Sequence, residues 1–413
     1  MKQTLQIFLT LTLLTCLYSP GYAQTLDSLY RLAVDNNPKL KALELEYKAE
    51  LTKKDQVSQL PQPQLGTGIP ILRPETRLGP QVVMLSASQM FPWFGTLDAK
   101  EELTVHIAKA RYEELMAERL NVMYEIKTAY YGLNYLQKEI ELIHENLDNY
   151  NALESIALAK VEAGNASLSE VLRIQSEIAA IEARLELIKL EQTTLNADIN
   201  TLIKAPLDQE IEILDSIQYK SISLDFESTR LKLEQNHPLL QQLNYQFQAS
   251  QSRVEVSQKM KQPTFGVGLD YSMVNPRIDA NPANNGRDIL VPRVMLSIPI
   301  YRKRHNAVIS QESLTQEAIN YRKESIVDDM LNKLIQFQAN LNSARISLEL
   351  KEDQLEKISS AYEILLAEYS ANGNNMEALL KTQNNLIQLK LEREVSVLQM
   401  GVAQASIERI TDF

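Results

Sequence analysis

The stretch Phe265-Gly266-Val267-Gly268-Leu269-Asp270-Tyr271-Ser272-Met273 sets the terms of the fold. Apolar side chains take every second position and Gly, Asp or Ser the positions between, a period of two that makes a β-strand with one wholly apolar face. The alternation recurs in Leu65, Thr67, Ile69 and Ile71 against Gln64, Gly66, Gly68 and Pro70, then in Val83, Leu85 and Ala87, and in Val294, Leu296, Ile298 and Ile300. Each segment is close to the roughly 9 to 11 residues that a tilted strand needs to cross a bilayer. A single isolated hairpin of this kind reads more readily as a soluble ribbon with a buried face. Four such segments beside Phe91-Pro92-Trp93-Phe94-Gly95 and Tyr301-Arg302-Lys303-Arg304 read as membrane strands with interfacial anchors at Phe91, Trp93, Phe94 and Tyr301. On this reading Leu65, Ile69, Val83, Leu85, Phe265, Val267, Leu269, Leu296 and Ile298 face lipid. Four strands cannot close a barrel, and an open edge in lipid leaves N–H and C=O groups unsatisfied at several kcal/mol each, so the chain is expected to oligomerise.

Outward from the strands, the proline map predicts long helices. Prolines crowd the windows from Pro61 to Pro92 and from Pro263 to Pro299, whereas none lies between Trp93 and Ala205 or after Pro299. In the first proline-free tract Val171, Ile174, Ile178, Ile181, Leu185, Ile188, Leu195, Ile199 and Leu202 recur at heptad spacing, with Gln192 interrupting the seam. The tract from about Leu97 to Glu162 would make a rod on the order of 100 Å long.

The halves of the chain are copies. A shift of 200 carries Pro38, Leu40, Leu43, Gln62-Pro63, Gly66 and Gly68 onto Pro238, Leu240, Leu243, Gln262-Pro263, Gly266 and Gly268, and further on the turn Gly164-Asn165 answers Gly373-Asn374. The expected domains are a first repeat over 24–206, with a β-hairpin at about 64–91 and a helical hairpin turning at 164, and a second over 229–413, with a β-hairpin at about 264–301 and a turn at 373. Residues 207–228 link them.

Residues 1–23 read as a secretory signal peptide, with Lys2, an apolar stretch from Ile7 to Leu17 and small residues before Ala23. The rival is a lipoprotein signal ending at Cys16, for which Thr15 is a poor neighbour. Cys16 is the chain's one cysteine, so the exported protein would carry neither disulfides nor thiolate metal sites. A formal charge of −11 argues against nucleic acid as a partner. His106, His144, His237 and His305 are scattered, no hydrolase, zinc-protease or nucleotide-loop motif occurs, and no catalytic residue, cofactor or metal site is expected. Met84, Met90, Met273 and Met295 lie in or beside strands, where packing is the simpler role than soft-metal binding.

The duplicated halves, the two hairpins, the segment Gln89-Met90-Phe91-Pro92-Trp93-Phe94-Gly95 and the turns followed by Ser169-Glu170-Val171-Leu172 and Glu377-Ala378-Leu379-Leu380 together resemble the TolC family of outer-membrane efflux channels. The Phe-Pro-Trp-Phe-Gly run is similar to the heavy-metal efflux branch. The resemblance implies a mainly α protein with membrane β: a homotrimer, four strands per chain in a shared barrel, continuing as a coiled-coil tunnel in the periplasm. It implies as partners a periplasmic adaptor and an inner-membrane pump, with small toxic solutes or secreted cargo as the load. It also implies that the turns, expected about 60 Å from the strands, dock the adaptor and narrow the tunnel. The residues concerned are Gly164, Asn165, Glu170, Gly373, Asn374, Glu377 and Lys381. Glu170 matches the family's acidic position, Glu377 is a near equivalent, and Lys381 stands where another acid is expected. As first-turn acids, both glutamates are equally accounted for by the helix dipole. The alternative function is a periplasmic coiled-coil adaptor or scaffold, disfavoured because each helical hairpin here follows a strand window.

Overall fold

The computed structural model describes residues 25–164, 166–213, 225–372 and 375–413. The expected signal peptide with Cys16, and the turn residues Asn165, Gly373 and Asn374, lie outside the described residues. The element order is α1 (Leu26–Asn36), α2 (Pro38–Val57), β1 (Gln64–Gly68), β2 (Glu75–Thr76), β3 (Gly79–Phe91), α3 (Thr96–Glu162), α4 (Leu168–Ile203), α5 (Phe226–Asn236), α6 (Pro238–Lys259), β4 (Thr264–Val274), β5 (Ile289–Ser297), α7 (Lys303–Asn372) and α8 (Met376–Thr411). Apart from β2, the second half repeats the first: two helices broken at a proline, two strands, one very long helix and one of 36 residues. The break has the same cause in both copies. Asn37 accepts from the Lys39 and Leu40 amides, and His237 Nδ1 accepts from the Leu239 amide, capping helices that open on Pro38 and Pro238.

Helices of 67 and 70 residues form where the sequence holds no proline. The chain divides into two compact units. In the first, Val171, Ile174, Ile188 and Ile199 of the heptad seam are buried. Leu136 and Ile143 of α3 close over Ile188. Arg184 of α4 donates from Nε and Nη2 to Glu139 Oε1 on α3, at 2.9 and 2.6 Å. The segment after α4 folds back on that helix: Asn200 Nδ2 donates to the Gln209 carbonyl and the Ile211 amide donates to Asn196 Oδ1. These contacts give the start of the 207–228 linker its place.

The second unit holds the sheet, antiparallel in the order β1-β3-β4-β5, with β2 beside β3. Pairing of β3 with β4 joins the two expected hairpins into one sheet. At its turn end Gly79 is at φ +128°, and a Cβ there would lie 1.8 Å from the Asn275 carbonyl oxygen, so only glycine fits. β1 is five residues long and ends at Gly68, earlier than the alternation to Ile71 predicts. Pro70 has no N–H to continue the ladder. β5 stops at Ser297, so Ile298 and Ile300 flank Pro299 beyond the strand.

Candidate functional site

Two places carry the predicted site residues, the sheet in one unit and the helix turns in the other. Directly opposed residues of an antiparallel ladder share a face, so the register sorts the strands without further assumption. Leu65, Val83, Leu85, Phe265, Val267, Leu269, Tyr271, Val294 and Leu296 fall on one face. Gly66, Gly68, Ser86, Ser88, Gly266, Gly268, Asp270, Ser272 and Arg293 fall on the other. Leu65, Leu85, Val267, Leu269, Val294 and Leu296 are exposed. Ile69 and Ile298, given to the same face by the sequence, are exposed just past the ends of β1 and β5.

The strands β1, β3, β4 and β5 contain two charged residues, Asp270 and Arg293. They meet on the Gly/Ser face, Arg293 Nη2 lying 3.2 Å from Asp270 Oδ1. Sequence reading placed Asp270 on that face but missed Arg293. Its signal was present, as the one charge in β5. Where β3 and β4 meet the helices, Phe91 stacks on Phe265 with ring centres 5.9 Å apart. Phe94 packs on Phe265 at 5.4 Å and Trp93 on Phe94 at 5.8 Å. Three of the expected anchors thus form one aromatic cluster, while Tyr301 is exposed between β5 and α7.

At the turns, Gly164 is at φ +75° with open space where a Cβ would be, ending α3 in the left-handed conformation. Ser167 caps α4 by accepting from the Ser169 amide at 3.2 Å. Beside it Tyr150, Leu153 and Ala157 of α3, Val171 and Ile174 of α4, Tyr369 of α7 and Met376, Leu379 and Leu380 of α8 form one core. Four helices converge there. Glu170 accepts from the Tyr369 hydroxyl at 3.5 Å. The Lys160 ammonium lies 5.3 Å from the centre of the Tyr369 ring. Burial raises the Tyr369 phenol pKa, and the Glu170 carboxylate adds to the rise, so the hydroxyl stays a donor. Glu170 is therefore part of a contact between the two helical hairpins, a role its spacing did not reveal. Glu377 lies in the first turn of α8, and both it and Lys381 are exposed.

His106 lies 3.5 Å from Glu102, its neighbour one turn away on α3. His237 is consumed as a helix cap. Among the described residues no helix is long and apolar enough to cross a membrane, a statement about helices that leaves the strands open.

An antiparallel sheet with one apolar face free of charged residues and two unpaired edges, in a chain with helices of this length, is the combination the known proteins below share in fold. Residues 29–203 match the family of outer membrane efflux proteins. The pyoverdine export outer membrane protein OpmQ of Pseudomonas aeruginosa is 23% identical over 327 residues, covering 75% of this chain and 66% of that protein, just under two thirds of its length. Among solved structures, the outer-membrane channel OprN superposes with a TM-score of 0.76 at 15% identity, over 94% of this chain and 89% of that one. The outer membrane protein VceC of Vibrio cholerae gives 0.72 at 14% identity, over 94% and 95%. At such identities the likeness to solved structures is one of fold. The resemblance read from the sequence is borne out in these matches, and so is the expected class of helical protein with an antiparallel sheet.

Proposed function

We propose that the chain is the outer-membrane channel of a tripartite efflux system, a passive conduit for small toxic solutes, drugs or metal ions, or for secreted cargo. Three copies contribute four strands each to one barrel in outer-membrane lipid, and the helices line a periplasmic tunnel that meets an adaptor protein and an inner-membrane pump. The chain has no catalytic role in this reading, because the energy is supplied by the pump.

The observation that supports it best is the sheet. Its apolar face bears no charge, its only ion pair lies on the Gly/Ser face, and β1 and β5 each have an unpaired edge. In lipid such edges cost several kcal/mol for every unpaired backbone group, and pairing β5 of one copy with β1 of the next removes the cost. The exposed row Leu65, Leu85, Leu269, Val294 and Leu296 then meets hydrocarbon, and Asp270 and Arg293 meet the water-filled interior.

Two measurements test this. Native mass spectrometry of the detergent-purified protein should give three chains, and the protein should stay in outer membranes after a high-salt wash. A monodisperse monomer, or release by salt, overturns the channel reading and leaves a periplasmic scaffold.

A further inference from the structure

The interior-facing ion pair has a geometry that a purely structural pair does not require. Arg293 Nη2 lies 3.2 Å from Asp270 Oδ1. A guanidinium carries five N–H donors, more than one carboxylate can occupy. The row that holds Arg293 is low, although Met90 and Met295 lie over Gly266 in the row on one side of it. The residue opposite it in β4 is Gly268, and the next in the same row is Ser88 of β3. A Cβ on Gly268 would stand 3.5 Å from Arg293 Nε, so the guanidinium lies over the glycine with no side chain raised between it and Ser88. The neighbouring row runs Gly66, Ser86, Asp270 and Val291 across β1, β3, β4 and β5.

We infer that Arg293, held beside the Gly268–Ser88 row by its ion pair with Asp270, is the charge-selective contact point of the barrel interior, engaging carboxylate or phosphate groups of solutes in transit. The inference rests on the proposed trimeric barrel, in which three such pairs ring one passage. Asp270 sets the strength of the contact: it fixes one edge of the guanidinium and offsets its charge. A solute anion meets a planar guanidinium beside the Gly268–Ser88 row, and such a group is suited to two-point recognition of a carboxylate. Removing Asp270 frees a net positive charge and should favour anions. Removing Arg293 leaves a carboxylate and should favour cations.

The test is the reversal potential of purified trimers in planar lipid bilayers under a potassium chloride gradient. Asp270→Asn should shift the chloride-to-potassium permeability ratio upward by roughly threefold to tenfold, and Arg293→Gln should shift it downward by a similar factor, as expected for three unit charges around an aqueous passage. The double variant should return near the wild type. As a readout that keeps the native pair, Ser88→Cys should react severalfold faster with an anionic than with a cationic methanethiosulfonate reagent. Conducting channels with wild-type reversal potentials in both single variants, or equal thiol reactivity toward the two reagents, overturn the inference and leave the barrel intact. Failure of the wild type to conduct overturns the channel reading, and this inference falls with it.

Discussion

Val294 and Val291 make the sharpest test of which face meets lipid, because they are the same residue type, three positions apart on one strand and on opposite faces. Val294 is opposed to Val267 and Val291 to Asp270. Both are exposed in the single chain, at 84% and 46%, so neither arginine would be forced into a packed core. Val267 lies two residues from Leu269, the middle of β4, which is roughly 7 Å along the strand and roughly 5 Å in depth at a tilt of about 45°. That is well inside an apolar band about 25 Å tall. An arginine costs roughly 2 to 4 kcal/mol at the midplane and about 0 to 1 at the interface, so Val294→Arg should cost about 2 kcal/mol per chain and about 6 per trimer. Val291→Arg places its charge beside the Asp270 carboxylate on the hydrated face, and its expected cost is within about 1 kcal/mol. Ser272 would be a poor control despite sharing that face, since it is 7% exposed and an arginine there would overpack its surroundings. The assay is the guanidinium unfolding midpoint of each variant folded into phospholipid vesicles, read beside trimer yield in outer membranes. Equal destabilisation by the two substitutions would refute the facing and, with it, the barrel.

Further expectations concern the helices. Burial holds the His237 imidazole down at about 4, so the folded state keeps it neutral while the unfolded chain takes up a proton below about 6.5. Stability is full above that pH and is lost as pH falls toward 4, by about 2 kcal/mol between pH 7.5 and pH 5. His237→Asn, which installs the residue that caps the equivalent break at Asn37, should flatten that part of the curve in urea unfolding. Glu139 is 1% exposed, and Arg184→Met would leave its carboxylate buried without the guanidinium, at roughly 3 kcal/mol. Adding Glu139→Leu should restore most of the lost unfolding midpoint, and no recovery in the double variant would count against this pairing. Gly164→Pro with Gly373→Pro should leave trimer yield unchanged and abolish resistance to exported toxicants. Proline cannot adopt the φ of Gly164 and removes the amide that donates to the Val161 carbonyl at 3.0 Å. Full resistance in correctly inserted double mutants would refute the turns as the docking end.

What the sequence makes legible here is whatever repeats locally. A period of two with Gly and Ser on the off-beat exposes the strands, and the absence of proline from Trp93 to Ala205 exposes a 67-residue helix to within one residue of its start. Turn glycines and heptads are short-range features, so they survive in a single sequence. Relations across the chain do not. The β3–β4 pairing that fuses two hairpins into one sheet has no connecting turn to announce it. Arg293 reaches Asp270 only once the ladder between β4 and β5 is in register, and a slip of one residue would put that charge among the leucines. Glu170 likewise reads as a first-turn acid until α7, 199 positions away, brings Tyr369 to it. Local periodicity therefore states which face of each element is apolar, while the residues expected to set selectivity and gating are defined by partners the pattern cannot name. In a conduit this division has a physical origin: lipid and coiled-coil seams reward a repeated side chain along tens of residues, whereas a passage is tuned by a few groups that act only where several strands or helices meet.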